Sequence, residues 1–118
     1  MATSLMRNIN GEPCVICGFP IFEIHRLIPG VMGGEYVDAN AVSLCPDHHV
    51  AIHRAMRSRN LPALRYMLKG DVAFWDFCDD VLPLIVDVRT MTFHEKAAAY
   101  ASVRSAVRAF RARGVARV

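Results

Sequence analysis

The sequence predicts an α+β fold: a small core of two strands and one helix, then a mainly helical C-terminal part. Three observations carry this expectation. Pro20 to Leu27 alternates loosely and is rich in Ile and Phe, as a strand is, and a second strand pattern ends at Leu44. From Pro46 the apolar spacing becomes helical and stays so, with breaks, to the C-terminus. Cys14, Cys17, Cys45 and His48 bracket the strands as two pairs, each with two residues between its members. Such pairs can staple a core too small to hold itself. The chain therefore divides into a core over residues 1–59 and a helical extension over 60–118 that packs on or flanks it.

Residues 1–12 read as a lead-in ending in the turn signal Asn10-Gly11. Pro13 introduces Cys14-Val-Ile-Cys17-Gly18, a turn in which both sulfurs can grip one ion. After the first strand, Pro29-Gly30 and Gly33-Gly34 mark a loop. Glu35-Tyr36-Val37 is expected to begin the second strand and Ala41 to Leu44 to continue it. Pro46 suits the first turn of a helix, where its missing N–H is not needed. That helix is expected to run to about Arg59, with His49 and His53 four apart on one face. Asn60 caps a short helix with Pro62 in its first turn, ending at Gly70. Asp71 caps another through Phe74, Trp75, Phe77 and Cys78, bent or ended by Pro83. Thr92-Phe-His-Glu95 is a capping box opening a long helix to about Arg113, closed by Gly114. Tyr100, Val103, Val107 and Phe110 form its apolar stripe, and Arg104, Arg108 and Arg111 a neighbouring basic one.

A chain of 118 residues is one domain by size. The net charge of +3 is weak evidence for an anionic partner, but its distribution says more. Residues 1–69 carry +2, residues 70–91 carry −4 and residues 92–118 carry +5. An anionic partner should meet the basic ends. No apolar secretory signal is visible. The most apolar window, Val72 to Val88, contains Asp76, Asp79, Asp80 and Asp87, so no membrane span is expected. With no export signal, the cysteines point to metal ligation in the cytoplasm over disulfides.

Cys14, Cys17, Cys45 and His48 offer four soft or borderline ligands, the set that suits tetrahedral zinc in a closed structural site. His25, at the end of the first strand, and His49 and His53, on the helix, form a second set. A strand and a helix packed together could place three imidazoles around one ion and leave positions open, as a catalytic metal requires. Glu23 lies on the same strand face as His25 and is either a carboxylate ligand or a solvated residue.

The run E-I-H-R-L-I-P-G, G-G, N-A-V-S-L-C-P-D-H-H-V-A-I-H resembles the HNH endonuclease family, over roughly Cys14 to His53. The resemblance implies a ββα-metal core with structural zinc on Cys14, Cys17, Cys45 and His48. It implies a catalytic divalent ion, Mg²⁺ or another, on His49 and His53, and an active-site role for Asn40 in holding the base. The family pattern commonly has two residues where this chain has His25-Arg26: a metal ligand, then a histidine that activates water. One register makes His25 the ligand and leaves Arg26 in the place of the base; the other makes His25 the base. The implied activity is phosphodiester hydrolysis in DNA.

Arg54, Arg57 and Arg59 follow His53 and are placed to meet phosphates flanking the cut, with Arg104, Arg108, Arg111, Arg113 and Arg117 as a second basic surface or a solvated helix face. Phe74, Trp75 and Phe77 read as core, Cys78 as a buried thiol, and Asp76, Asp79 and Asp80 as a solvated face. His94 carries no role. Two other readings stay open. One is a catalytically impaired, zinc-stapled nucleic-acid-binding module. The other is an interaction domain forming a homodimer through its apolar helical part.

Overall fold

The computed structural model describes the backbone of residues 12–117 and the side chains of residues 12–113. Two short strands, β1 (Glu23–Arg26) and β2 (Ala41–Leu44), pair antiparallel with His25 opposite Val42. Four helices follow: α1 (Pro46–Arg57), α2 (Leu61–Met67), α3 (Val72–Val81) and α4 (Phe93–Arg117). The α+β class and the order of elements agree with the sequence expectation. No described helix is long and apolar enough to cross a membrane.

The helix starts are set by side chains that satisfy otherwise unpaired N–H groups. Cys45 accepts from the His48 N–H, Asn60 from Ala63 and Asp71 from Phe74. Thr92 and Glu95 form the reciprocal capping box, each accepting from the other's backbone N–H. The stripe Tyr100, Val103, Val107 and Phe110 is buried along its whole length. It packs with Phe74, Trp75, Phe77 and Val81 of α3 into a single cluster that also contains Cys14, Leu27, Val42 and Ile52. One buried cluster thus joins residues from both sides of position 59. The apolar face of α3 lies inside it, among the chain's own residues.

Several boundaries differ from expectation. Glu35–Val37 is not strand; β2 begins only at Ala41. The Glu35 N–H donates to the Tyr100 hydroxyl at 3.0 Å and its carbonyl accepts from Asn40 at 2.9 Å, so side chains hold its backbone. Lys96 adds an ion pair to the Glu35 carboxylate at 3.0 Å. Gly34 lets the chain turn back on itself here, since a Cβ at this position would lie 1.7 Å from the Ile28 carbonyl oxygen. β1 spans only Glu23–Arg26, and α1 ends at Arg57. α2 ends at Met67, ahead of Gly70, and Pro83 falls in a 3₁₀ turn after α3. α4 runs through Gly114 to Arg117, so that glycine does not close it. The Asn10-Gly11 turn and the Arg117 side chain lie outside the described residues.

Candidate metal centres

Two groups of side chains that could each hold a metal ion lie against α1. Consecutive residues in a helix point about 100° apart, and His48 and His49 are directed to different groups for that reason.

The first group is Cys14, Cys17, Cys45 and His48, whose ligand atoms lie close enough to hold one metal ion. The Cys14–Cys17 turn closes with the Gly18 N–H donating to the Cys14 carbonyl at 2.8 Å, and Gly18 has the positive φ of 76° that this turn needs. The Val15 N–H donates to the Ser43 carbonyl at 2.9 Å, which docks the turn on β2. Cys45 caps α1 and His48 follows one turn later. The resulting separations are 3.8 Å between Cys17 and Cys45 Sγ, and 3.4 and 3.6 Å from His48 Nδ1 to Cys45 and Cys14 Sγ. A tetrahedron with Zn–S near 2.3 Å and Zn–N of about 2.0–2.1 Å has S···S edges of about 3.8 Å and S···N edges of about 3.6 Å. The donor set and its spacing therefore fit zinc.

The second contact of His48 was not foreseen from sequence. Its Nε2 lies 2.7 Å from Asp71 Oδ2, while the other carboxylate oxygen of Asp71 caps α3. With an ion at the cluster this would be a carboxylate–histidine–metal arrangement, in which Asp71 fixes the tautomer that leaves Nδ1 for the ion. His48 Nδ1 contacts the Cys14 sulfur, and that contact, with Asp71, raises the imidazole to about 9 against the opposing effect of burial. Burial would also raise Cys14, but hydrogen bonding to His48 and to nearby backbone N–H groups overrides it and holds that thiol down at about 6. Desolvation and the adjoining sulfurs push Cys17 up to about 12. A bound divalent ion deprotonates its thiol ligands.

The second group is His25, His49 and His53. Their ring centroids are 4.9 to 5.1 Å apart in every pair. His53 Nε2 lies 3.2 Å from His49 Nε2, and His49 Nδ1 lies 2.6 Å from the Glu23 carboxylate. The alternation of β1 sends Glu23 and His25 to the same face, so one strand supplies both the ring and the group that orients its neighbour. Glu23 thus contacts an imidazole. His25 is buried, and its Nε2 is a buried nitrogen with no hydrogen-bond partner. Burial, then the neighbouring His49 and His53, lowers His25 to about 3, and burial also lowers His53. Neutral imidazoles are the metal-binding form. Three imidazoles with no carboxylate among them suit zinc or nickel better than Mg²⁺.

The remaining site residues divide. Arg54 and Arg57 line a groove with His49 and His53 and have no ion-pair partner among the described residues. Arg59 is exposed two residues past the end of α1 and is not part of that groove lining. Arg104 and Arg108 are exposed on α4, whereas Arg111 pairs with Glu12 at 3.0 Å and Arg113 with Asp80. Arg26 does not join the histidines. It stacks over the Tyr36 ring at 4.0 Å and its Nη1 donates to the Gly34 carbonyl at 3.4 Å. Asn40 is fully buried, but its amide holds the loop and not a ring. It donates to the Ile28 and Glu35 carbonyls and accepts from the Ile28 N–H at 2.8 Å. The expected bond from Asn40 to a catalytic histidine is not among its contacts, because both ends of its amide are engaged by the backbone. No protein-family model matches the sequence, and no curated protein matches it either.

Proposed function

We propose that the chain is a metal-dependent endonuclease of HNH type on a ββα-metal core, acting on DNA, with structural zinc on Cys14, Cys17, Cys45 and His48. The observation that carries this reading is the buried, unpartnered Nε2 of His25 beside His49 and His53. Leaving such a group unsatisfied costs about 1–3 kcal/mol, a cost that a coordinated cation removes. A divalent ion held by these three rings would supply Lewis-acid polarisation of a phosphoryl oxygen. Glu23 orients His49, and Arg54 and Arg57 attract the flanking phosphates. Asn40 holds the loop between the strands and so sets the position of β1 against α1.

A second reading, a zinc-stapled nucleic-acid-binding module without hydrolytic activity, is favoured by Arg26. In the register that makes His25 the metal ligand, Arg26 stands where the HNH pattern has a water-activating histidine, and a guanidinium does not give up its proton. Plasmid nicking with Mg²⁺, Mn²⁺, Ni²⁺ or Zn²⁺ separates the two. Under the first reading the wild type nicks, best with an ion that favours imidazole, and His49→Ala does not. Salt-sensitive DNA binding without nicking in any of these ions establishes the second.

A further inference from the structure

We infer that the cavity on the zinc side of α1 binds a nucleobase, one that carries an exocyclic amine and is unpaired next to the phosphodiester. The inference rests on the reading above only for the position of the phosphate. The cavity has a volume of about 710 Å³, within the range of about 300–1,000 Å³ typical of small-ligand sites. Phe19, Val50, Leu68 and Phe74 contribute apolar walls. Phe19 and Val50 are 48% and 61% exposed, an apolar surface that the described residues leave unfilled.

Two features select a base as the occupant. The first is continuity. Val50 and Arg54 line both this cavity and the groove that contains His49 and His53. Positions 47, 50, 51 and 54 follow one face of α1, and positions 49 and 53 the adjoining face. A phosphate held by Arg54 at this ridge therefore has the histidines on one side and the cavity on the other. The second is charge. Asp47 and Arg54 have no hydrogen-bond or ion-pair partner among the described residues, and both line the cavity. Arg54 suits the phosphate, and a carboxylate accepts from an exocyclic amine such as cytosine N4. Phe19 offers the flat face on which an unpaired base stacks. A base paired within a duplex has no free face, so the nucleotide beside the cut must be unstacked.

The test is calorimetric titration of the full chain loaded with one equivalent of zinc and no further divalent ion. The ligands are deoxycytidine monophosphate, thymidine monophosphate and 2-deoxyribose 5-phosphate. The cytidine nucleotide is expected to bind at least about fivefold more tightly than the abasic sugar phosphate, the lower end of a base-stacking contribution. Phe19→Ala should remove that advantage and His53→Ala should keep it. Val50→Lys, an exposed helix substitution that fills the mouth, is the second variant should Phe19→Ala not fold. Asp47→Asn should erase the preference for cytosine over thymine. Equal binding of all three ligands, or discrimination that survives both cavity variants, overturns the inference. Nucleotide binding without plasmid nicking overturns the hydrolase reading and leaves the cavity standing. Nicking without nucleotide discrimination overturns the cavity alone.

Discussion

His48 and His49 are neighbours in sequence, yet one belongs to a closed cluster and the other to an open one. The Cys14, Cys17, Cys45 and His48 cluster has four donors, and Asp71 ties it directly into the start of α3. The His25, His49 and His53 cluster has three donors and lies beside a groove with unpaired arginines. Four donors complete a tetrahedron and leave no place for substrate; three leave room for a fourth ligand. On the function proposed above, the first would hold the chain together and the second would meet something outside it. If so, damage to the two clusters should separate cleanly into stability and activity.

Cys45→Ser is the harshest test of that separation. Zinc binding in small structural sites is worth about 10–16 kcal/mol, comparable to or greater than the roughly 5–15 kcal/mol that hold a typical domain folded. The variant should lose its zinc and its cooperative thermal unfolding together, measured by metal analysis and circular dichroism. A Cys45→Ser protein that melts like wild type would show that the sulfur cluster is not what holds the core.

Acid should reach the open cluster differently. Below about pH 6.5 an unfolded chain takes up a proton at His25, while the folded one resists until about 3. The unfolded state then binds more protons, so stability falls as pH drops through that window, by up to about 1.4 kcal/mol per pH unit. Melting temperatures of wild type and His25→Leu, followed from pH 7 to 4 without added divalent ion, should diverge in slope, with wild type the steeper. Zinc loss is common to both proteins and cancels in the comparison. Parallel slopes would mean that His25 is not held neutral by its surroundings.

Much of this was legible in the chain, and unevenly so. The cysteine pairs, the helix caps at Asn60, Asp71 and Thr92, and the stripe on α4 are local patterns, and each appears where its spacing placed it. The two contacts that orient the clusters, His48 with Asp71 and His49 with Glu23, join residues 23 and 26 positions apart. No periodicity reports them. Asn40 and Glu35 mislead for a related reason. A buried amide in a loop reads equally well as a catalytic or a structural group until its partners are known, and the strand-like Glu35–Val37 is claimed by side chains from α4 and from Asn40. Arg26 could be seen as the odd residue from sequence, but Tyr36, the ring that draws it aside, could not.

Those two orienting carboxylates allow a finer comparison. Outer-shell partners of metal-binding histidines typically contribute about 10–100-fold to metal affinity. Asp71→Asn should weaken zinc by about that much while keeping the α3 cap, since asparagine caps a helix about as well as aspartate. Glu23→Gln should weaken the ion at the three histidines by a similar factor while leaving the zinc affinity of the cysteine cluster and the melting temperature unchanged. Competition with a chromophoric chelator reads both affinities. If Glu23→Gln alters zinc at the cysteine cluster, or Asp71→Asn alters only the ion at the three histidines, the two clusters are not independent.

The smallest effect belongs to α4, and it decides how far the proposed DNA-binding surface would extend. Each phosphate neutralised by a basic side chain adds about 0.9 to the slope of log affinity against log salt. Arg108 is exposed and unpaired among the described residues, whereas Arg111 is held by Glu12. Arg108→Ala should therefore lower the salt slope by close to that amount if α4 meets the backbone. Arg111→Ala should lower it less, because in the free protein that guanidinium already has a partner to leave. Neither substitution touches the core, so melting temperatures should stay near wild type. Identical slopes for both variants and wild type would confine DNA contact to α1 and make the basic stripe of α4 a solvated face, leaving Arg54 and Arg57 to position the phosphate against the histidines.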